Sequence, residues 1–217
     1  NYWFHVHHLN TNSGKMSKSS GEFLTVSLLE SKGYDPLVYR YFCLQSHYRK
    51  SLVFSYENLD NAAIAYNKLV AKIAALYKEE RGEVDAEALG ALKARFSAAM
   101  DNDMNTSLAV TALYDVLKAK TNAATKLAAI ADFDTVLCVG LIAAAERIVE
   151  AEKRAAALEA ERIANDPFAA YVVDMIAQRA SAKKEKNFAR ADEIRAELAS
   201  KGVTLIDTPQ GTKWEKQ

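Results

Sequence analysis

Lys15 and Lys18 stand three residues apart in the run Lys15-Met16-Ser17-Lys18-Ser19, with Gly14 ahead of it and Gly21 shortly after. A backbone of small residues can approach phosphate oxygens closely, because Ser and Gly put little in the way. Each ammonium can then place a point charge where negative charge builds up as a phosphate ester breaks. The chemistry this suits is polyphosphate handling. Lys15 and Lys18 would neutralise the departing group, and Ser17 and Ser19 would shape the loop rather than carry protons. The plainer reading of the same residues is a solvated basic turn between two elements.

A second group near the C-terminus suits different work. Lys183, Lys184 and Lys186 form a local basic patch beside Phe188, with Arg190 and Asp192 within a turn and Trp214 further on. Cations for a backbone, aromatic faces for stacking and a carboxylate to accept from a base amine are what recognition of single-stranded nucleic acid requires. Alternatively, Phe188 and Trp214 form the core of a small module over Ile194 and Leu198. Both readings stay open for Phe188, and Trp214 leans toward contact. His5 and His7 would share a face of a strand, but no carboxylate or Cys accompanies them and no metal is expected there. Met100-Asp101-Asn102-Asp103 reads as a helix-to-helix turn whose Asp and Asn groups hold backbone N–H donors.

These residues need elements to position them. The chain has 217 residues, half of them apolar, enough for a substantial core in one or two domains. Lys+Arg and Asp+Glu both number 28, so the total charge carries no nucleic-acid signal and any such partner must be met by local patches. Cys43 and Cys138 sit in apolar helical surroundings and are expected to be small buried hydrophobes in a reducing, cytoplasmic setting, not a disulfide. No apolar run in this sequence approaches the roughly 20 residues that span a bilayer, and no stretch of it reads as a signal peptide. Asn1 falls inside what reads as a strand, so the chain is expected to be a fragment.

The patterns predict a mainly α protein. Residues 2–9 alternate as a strand leading into the two-lysine loop. Helices follow from Thr25 to a stop at Gly33, and from Asp35-Pro36 with Val38, Tyr41, Phe42 and Cys43 buried. Ser55 caps a long helix ending at Arg81-Gly82, with Leu59, Ala62, Ala63, Tyr66, Leu69, Val70, Ile73 and Leu76 on one face. Another helix runs from about Asp85 to Met100. Thr106 is expected to cap a helix reaching about Ala131 through Leu108, Leu113 and Val116, and the next to begin near Asp134 and run to Asn165. Its stretch 150–162, mostly Ala, Glu, Lys and Arg, reads as a projecting linker. Asp166-Pro167 restarts the chain in two helices broken near Asn187, followed by a hairpin from Val203 to Trp214.

Tyr2-Trp3-Phe4-His5, the Lys-Met-Ser-Lys-Ser loop, Tyr34-Asp35-Pro36, Arg40-Tyr41-Phe42 and His47-Tyr48-Arg49 form an ordered series. It continues with Ser55-Tyr56-Glu57-Asn58-Leu59, Met100-Asp101-Asn102-Asp103, Asn105-Thr106 and Asp207-Thr208-Pro209-Gln210-Gly211-Thr212 with Trp214. The series resembles the C-terminal half of cysteinyl-tRNA synthetases, a class I family, and covers essentially the whole chain. The loop alone indicates only class I; the Tyr-Trp-x-His start and the Trp-ended tail point to the cysteine family. The resemblance implies the remnant of a class I catalytic domain (residues 1–54), an α-helical bundle of the anticodon-binding type (55–149), a linker helix (150–166) and a small α+β anticodon-recognition module (167–217).

It further implies that Lys15, Lys18, Ser17 and Ser19 meet ATP, carried with Mg2+, with Lys18 the main contact. Cysteine and tRNA(Cys) would be the other partners, the protein a monomer, and Zn2+ held by residues ahead of this chain, none within it. Lacking those ligands and the His-Ile-Gly-His-type motif, the fragment alone is expected to be inactive. Arg40, His47, Tyr48 and Arg49 would belong to a connector bracing the loop against the tRNA stem, or else pair with the bundle; both remain open. Lys183, Lys184, Phe188, Asp192 and Trp214 would face the anticodon. The family usually has Gly at His7, Leu at Ser20, Asn at Glu22 and Pro at Ser107, and Glu22 sets a carboxylate beside a loop meant for phosphates. Two rivals are a ligase joining cysteine to an amino sugar, against which the intact tail argues, and a tRNA-binding protein without chemistry.

Overall fold

The computed structural model describes residues 3–11, 14–15, 24–80, 82–208 and 211–216, Gly14 and Lys15 by their backbone. The chain divides into two compact units, Asn1–Glu150 and Ala151–Gln217.

In the first unit, β1 (Leu9–Thr11) pairs antiparallel with β2 (Gly14–Lys15), Asn10 opposite Lys15. The strand expected over 2–9 is not formed: residues 3–8 are exposed and irregular, and the ladder begins at Leu9. Alternation suits a strand, but paired neighbours make one. In this stretch the His7 N–H donates to the Tyr48 carbonyl (2.8 Å) without extending the ladder. The other edge of β1 carries β3 (Leu52–Phe54) in parallel, Leu9 opposite Leu52 and Thr11 opposite Phe54. Parallel strands need a long crossover, supplied here by α1 (Val26–Ser31) and α2 (Pro36–Leu44). Thr25 Oγ1 caps α1, Gly33 leaves it at φ +86°, and Asp35 caps α2 ahead of Pro36.

Ser55 caps α3 (Tyr56–Leu76), and the expected stripe from Leu59 to Leu76 is buried except at Ala63, which is half-buried. The helix stops at Leu76, short of Gly82. Asp85 caps α4 (Ala86–Asp101). Helix α5 (Thr106–Lys118) is capped by Asn105, one residue before the expected Thr106, because the Asn105 carboxamide accepts from Leu108 N. Leu108 itself is exposed.

The helix expected to reach Ala131 breaks after Lys118, and α6 (Ala123–Leu137) starts at a second cap, Asn122. Asn122 Oδ1 accepts from both the backbone N (2.9 Å) and hydroxyl (2.8 Å) of buried Thr125. Thr125 Oγ1 in turn accepts from Asp85 N (2.9 Å), so one hydroxyl ties two helix starts together. Asp134 does not begin the next helix. It lies within α6, and its carboxylate reaches across the break to Val139, Gly140 and Leu141 N (2.8, 3.2 and 2.7 Å), capping α7 (Leu141–Asn165). Cys138 and Gly140, both left-handed, make the turn. Cys138 is therefore exposed rather than buried, while Cys43 is half-buried, and both are free thiols. Burial pushes the Cys43 thiol up. Residues 150–162 of α7 are exposed throughout.

The first unit has one core, from Leu29 through Ala145, in which Phe96 stacks on Phe133 at 4.2 Å. Its internal polar ends are paired: Tyr66 Oη donates to the Val139 carbonyl (2.8 Å) and Arg40 Nε to that of Leu137 (2.6 Å).

The second unit holds α8 (Pro167–Lys184), capped by Asp166, α9 (Phe188–Ser200), capped by Asn187, and a hairpin of β4 (Val203–Thr208) and β5 (Gly211–Lys216). Val172, Met175, Ile194, Leu198 and Val203 form its core, with Phe168, Tyr171, Leu205 and Trp214 packed against it. No helix among the described residues is long and apolar enough to cross a membrane.

Candidate functional site

The two-lysine loop leaves the sheet from β2, where the Lys15 backbone pairs with Asn10. Ser17, Lys18, Ser19 and Glu22 lie outside the described residues. What is described is the mount of the loop. Strand β1 is held between β2 and β3, and Asn10 Nδ2 donates to Ser51 Oγ (2.8 Å) beside the start of β3.

Around this mount the structure gathers residues that the sequence leaves apart. Tyr48 Oη donates to Asp103 Oδ1 (2.6 Å) and accepts from Arg49 Nε (2.8 Å), and Arg49 Nε lies 3.1 Å from Asp103 Oδ2. His47 Nε2 donates to the Asp103 carbonyl (3.1 Å), and its Nδ1 accepts from Arg49 N (3.2 Å), which together place the ring proton on Nε2. The Tyr48 ring is stacked by Phe4 at 4.4 Å and by His47 at 4.7 Å. Arg49 is thus paired with the bundle, while Arg40 reaches a backbone carbonyl. The expected turn does form, at residues 102–104 after the end of α4, but the Asp103 carboxylate serves Tyr48 and Arg49, 55 and 54 residues back, not local N–H groups. No spacing rule finds such a pair.

In the second unit Lys183 is not a free cation: its Nζ lies 3.1 Å from Asp207 Oδ2. Asp207 also takes a two-pronged contact from Arg179 (2.9 and 3.0 Å) and a hydrogen bond from the Thr212 hydroxyl (2.7 Å). Arg179, 4% exposed, is the anchor, and its Nε is buried without a partner among the described residues. The Arg179 guanidinium first, then Thr212 and Lys183, hold the Asp207 carboxyl far below the usual carboxylate range. Sequence reasoning missed both Arg179 and the central place of Asp207. The nearest signal is a carboxylate at a hairpin mouth, which does not name its partner.

Lys184 ends α8, exposed and with no ion-pair partner among the described residues. Phe188 opens α9 at 62% exposure, which overturns the core reading for that ring. Asp192, exposed one helical turn on, shares its face. Trp214 is half-buried against the small core, with the Arg162 guanidinium 5.0 Å from its ring centre. Lys184, Phe188 and Asp192 are therefore presented outward, while Lys183 and Trp214 are partly committed to the module itself. Among the described residues no group of three or more His, Cys, Asp or Glu could hold a metal, and His5 and His7 lie on the irregular segment.

Comparison with known families now separates the possibilities. Residues 1–64 match the model of the class I (C) tRNA synthetase catalytic domain, and residues 95–160 that of the DALR domain. Strand, crossover and bundle are thus parts of a class I tRNA synthetase. The chain is 40% identical to the cysteine–tRNA ligase of Novosphingobium aromaticivorans, over 98% of this chain and 42% of that protein. It is 36% identical to cysteine–tRNA ligase 1 of Burkholderia lata, over 98% and 41%, and 37% identical to the cysteine–tRNA ligase of Syntrophotalea carbinolica, over 99% and 47%. The chain belongs to the cysteine–tRNA ligase family, and it spans less than half the length of these curated relatives.

Proposed function

We propose that this chain is the part of a cysteine–tRNA ligase that presents the phosphate loop and binds tRNA(Cys). Its parts would be the end of the catalytic domain (1–54), a tRNA-binding bundle (55–149), a linker (150–166) and an anticodon-reading module (167–217). The observation that carries the reading is the mount of the loop: the two-lysine segment continues from β2, which pairs antiparallel with β1, and β1 is held on its other edge by parallel β3. In the reaction a cysteine carboxylate oxygen attacks the α-phosphorus of ATP, the bond to the β-phosphate oxygen breaks, and pyrophosphate leaves. Lys18, with Lys15, neutralises the charge that grows on the leaving group, and a charge met in the transition state raises the rate more than one met on binding. ATP arrives with Mg2+, and the Zn2+ of the family is assigned to residues outside this chain. The outward faces of Lys184, Phe188 and Asp192 support the RNA role of the terminal module.

The test is cysteine-dependent ATP–pyrophosphate exchange by the full-length ligase. Lys18→Ala should lower the rate about a hundredfold, with the KM for cysteine little changed. An unchanged rate would remove the loop from the chemistry. For the RNA role, the 217-residue chain is titrated with the cysteine tRNA and with an anticodon-swapped version. Lys184→Ala should weaken both alike, as loss of a phosphate contact does, whereas Asp192→Ala should narrow the difference between them. Equal affinity for both tRNAs, unmoved by Asp192→Ala, would place anticodon reading elsewhere.

A further inference from the structure

The turn between α4 and α5 has an expensive backbone. Asp103 (φ +56°) and Met104 (φ +48°) are consecutive left-handed residues, a conformation in which a side chain crowds its own backbone. It is enforced by Met104 N donating to the Met100 carbonyl (2.8 Å) and Asn105 N to that of Ala99 (3.1 Å), which close the end of α4. An isolated turn would relieve the strain by placing Gly at one of these positions. Here the side chain at the first is Asp, and it is in use. Its carboxylate takes Tyr48 and Arg49, and its carbonyl takes His47.

The residues it takes are those that steady the mount of the loop. The Tyr48 carbonyl accepts from His7 N on the segment entering β1, and the same turn feeds β3, the parallel partner of β1. Phe4, on that entering segment, stacks on the Tyr48 ring. A continuous run of contacts therefore leads from Asp103 through Tyr48 to the start of β1 and to its β3 edge, and the other edge of β1 pairs with β2, from which the loop departs.

We propose that Asp103 is a positioning residue, a latch fastening the α4–α5 turn of the bundle to β1, the strand on which β2 and its two-lysine loop are mounted. Holding the turn and holding the loop are then one event, although Asp103 touches no reacting atom. The catalytic half of this inference rests on the ligase reading above; the structural half stands without it.

Hydrogen exchange on the 217-residue chain tests the structural half. Asp103→Gly deletes the latch at a backbone position that glycine occupies freely, so the fold is kept, and Tyr48→Phe deletes the shared hydroxyl while leaving the ring stacked on Phe4. In both, the amides of His7 and of Leu9–Thr11 should exchange about tenfold faster, as for loss of a charge-assisted hydrogen bond. Amides in the middle of α3 should be unmoved. Asp103→Asn, which tolerates the left-handed turn and still accepts from Tyr48, should recover part of the protection. Unchanged exchange at His7 and β1 in both variants overturns the latch.

In the full-length ligase the same two variants should lower kcat for ATP–pyrophosphate exchange about tenfold without moving the KM for cysteine. A loss of kcat with unchanged strand exchange would also overturn it, since Asp103 would then act by another route. If the wild-type ligase shows no cysteine-dependent exchange at all, the ligase reading fails, and hydrogen exchange still decides the latch.

Discussion

Asp103 and Asp207 are both half-exposed carboxylates that pair with a guanidinium and a hydroxyl, and they are built in opposite ways. Asp207 leans on a buried partner: Arg179 is enclosed by the module and offers both prongs of its guanidinium. Asp103 has no such enclosed cation: its Arg49 is 65% exposed, Tyr48 and His47 are only partly buried, and it stands on a strained turn. A buried cation fixes its partner because leaving it unpaired is costly. Exposed pairs contribute little each, and their geometry can be exchanged for water at small cost. The first arrangement is a rivet that holds the β4–β5 hairpin to α8. The second is a clasp, suited to a junction that is made and released.

Replacing Arg179 should separate the two most widely. Arg179→Ala should destabilise the second unit by about 2–3 kcal/mol, below the roughly 3–5 of a wholly enclosed pair because Asp207 can rehydrate. Amide protection across Val203–Thr208, measured in the 217-residue chain, reports the loss. Protection in α3, within the first unit, should stay as it was. A loss under 0.5 kcal/mol, the scale of an ordinary surface substitution, would make the Asp207 cluster as slack as that of Asp103.

Acid should open the rivet next. The folded state lowers the Asp207 pKa, so the carboxylate contributes stability that is fully present above its unfolded value of about 3.9 and fades as pH falls toward the folded one. Hairpin protection should therefore be flat from neutral pH down to about 5 and then decline. Asp207→Asn should remove most of that decline. Because the carboxylate is half exposed, solvent screening keeps the effect below that of Arg179→Ala.

The two regions also differ in how far they could be read from sequence. Asp35-Pro36 and Ser55 announced α2 and α3 because an N-cap and its helix are neighbours in the chain, and the stripe from Leu59 to Leu76 repeats its period. The break at 119–122 was missed because its cause is distant: Thr125 bonds to Asp85 N, 40 residues away, and that contact favours ending one helix and starting another within an Ala-rich run. The start of α7 was misplaced for a related reason, since Asp134 caps a helix seven residues ahead of itself across a turn that puts Cys138 in the left-handed region. Residues 3–8 have strand periodicity and no ladder. At the candidate sites, residue types were legible and commitments were not. Lys183 and Lys184 are adjacent and identical, yet one faces Asp207 and the other solvent, and only the placement of the hairpin decides which.

The smallest effect isolates backbone strain from side-chain use. Lys186, at φ +60°, occupies in the α8–α9 turn the conformation that Asp103 occupies in the α4–α5 turn. Its N–H closes the end of α8 on the Lys183 carbonyl (3.2 Å), and Asn187 N does so on that of Ala182 (2.8 Å). Its ammonium, unlike the Asp103 carboxylate, has no ion-pair partner among the described residues. Lys186→Gly should therefore gain what strain relief gives, less the entropy that glycine adds to the unfolded chain, a net stabilisation of about 0.5 kcal/mol. Asp103→Gly should gain nothing net, because relief of the turn is offset by loss of Tyr48 and Arg49. Denaturant midpoints of the two variants, followed by amide signals of the unit concerned, give the contrast directly. If Asp103→Gly stabilises its unit as much as Lys186→Gly stabilises the other, the Asp103 side chain holds nothing and the clasp is only a turn.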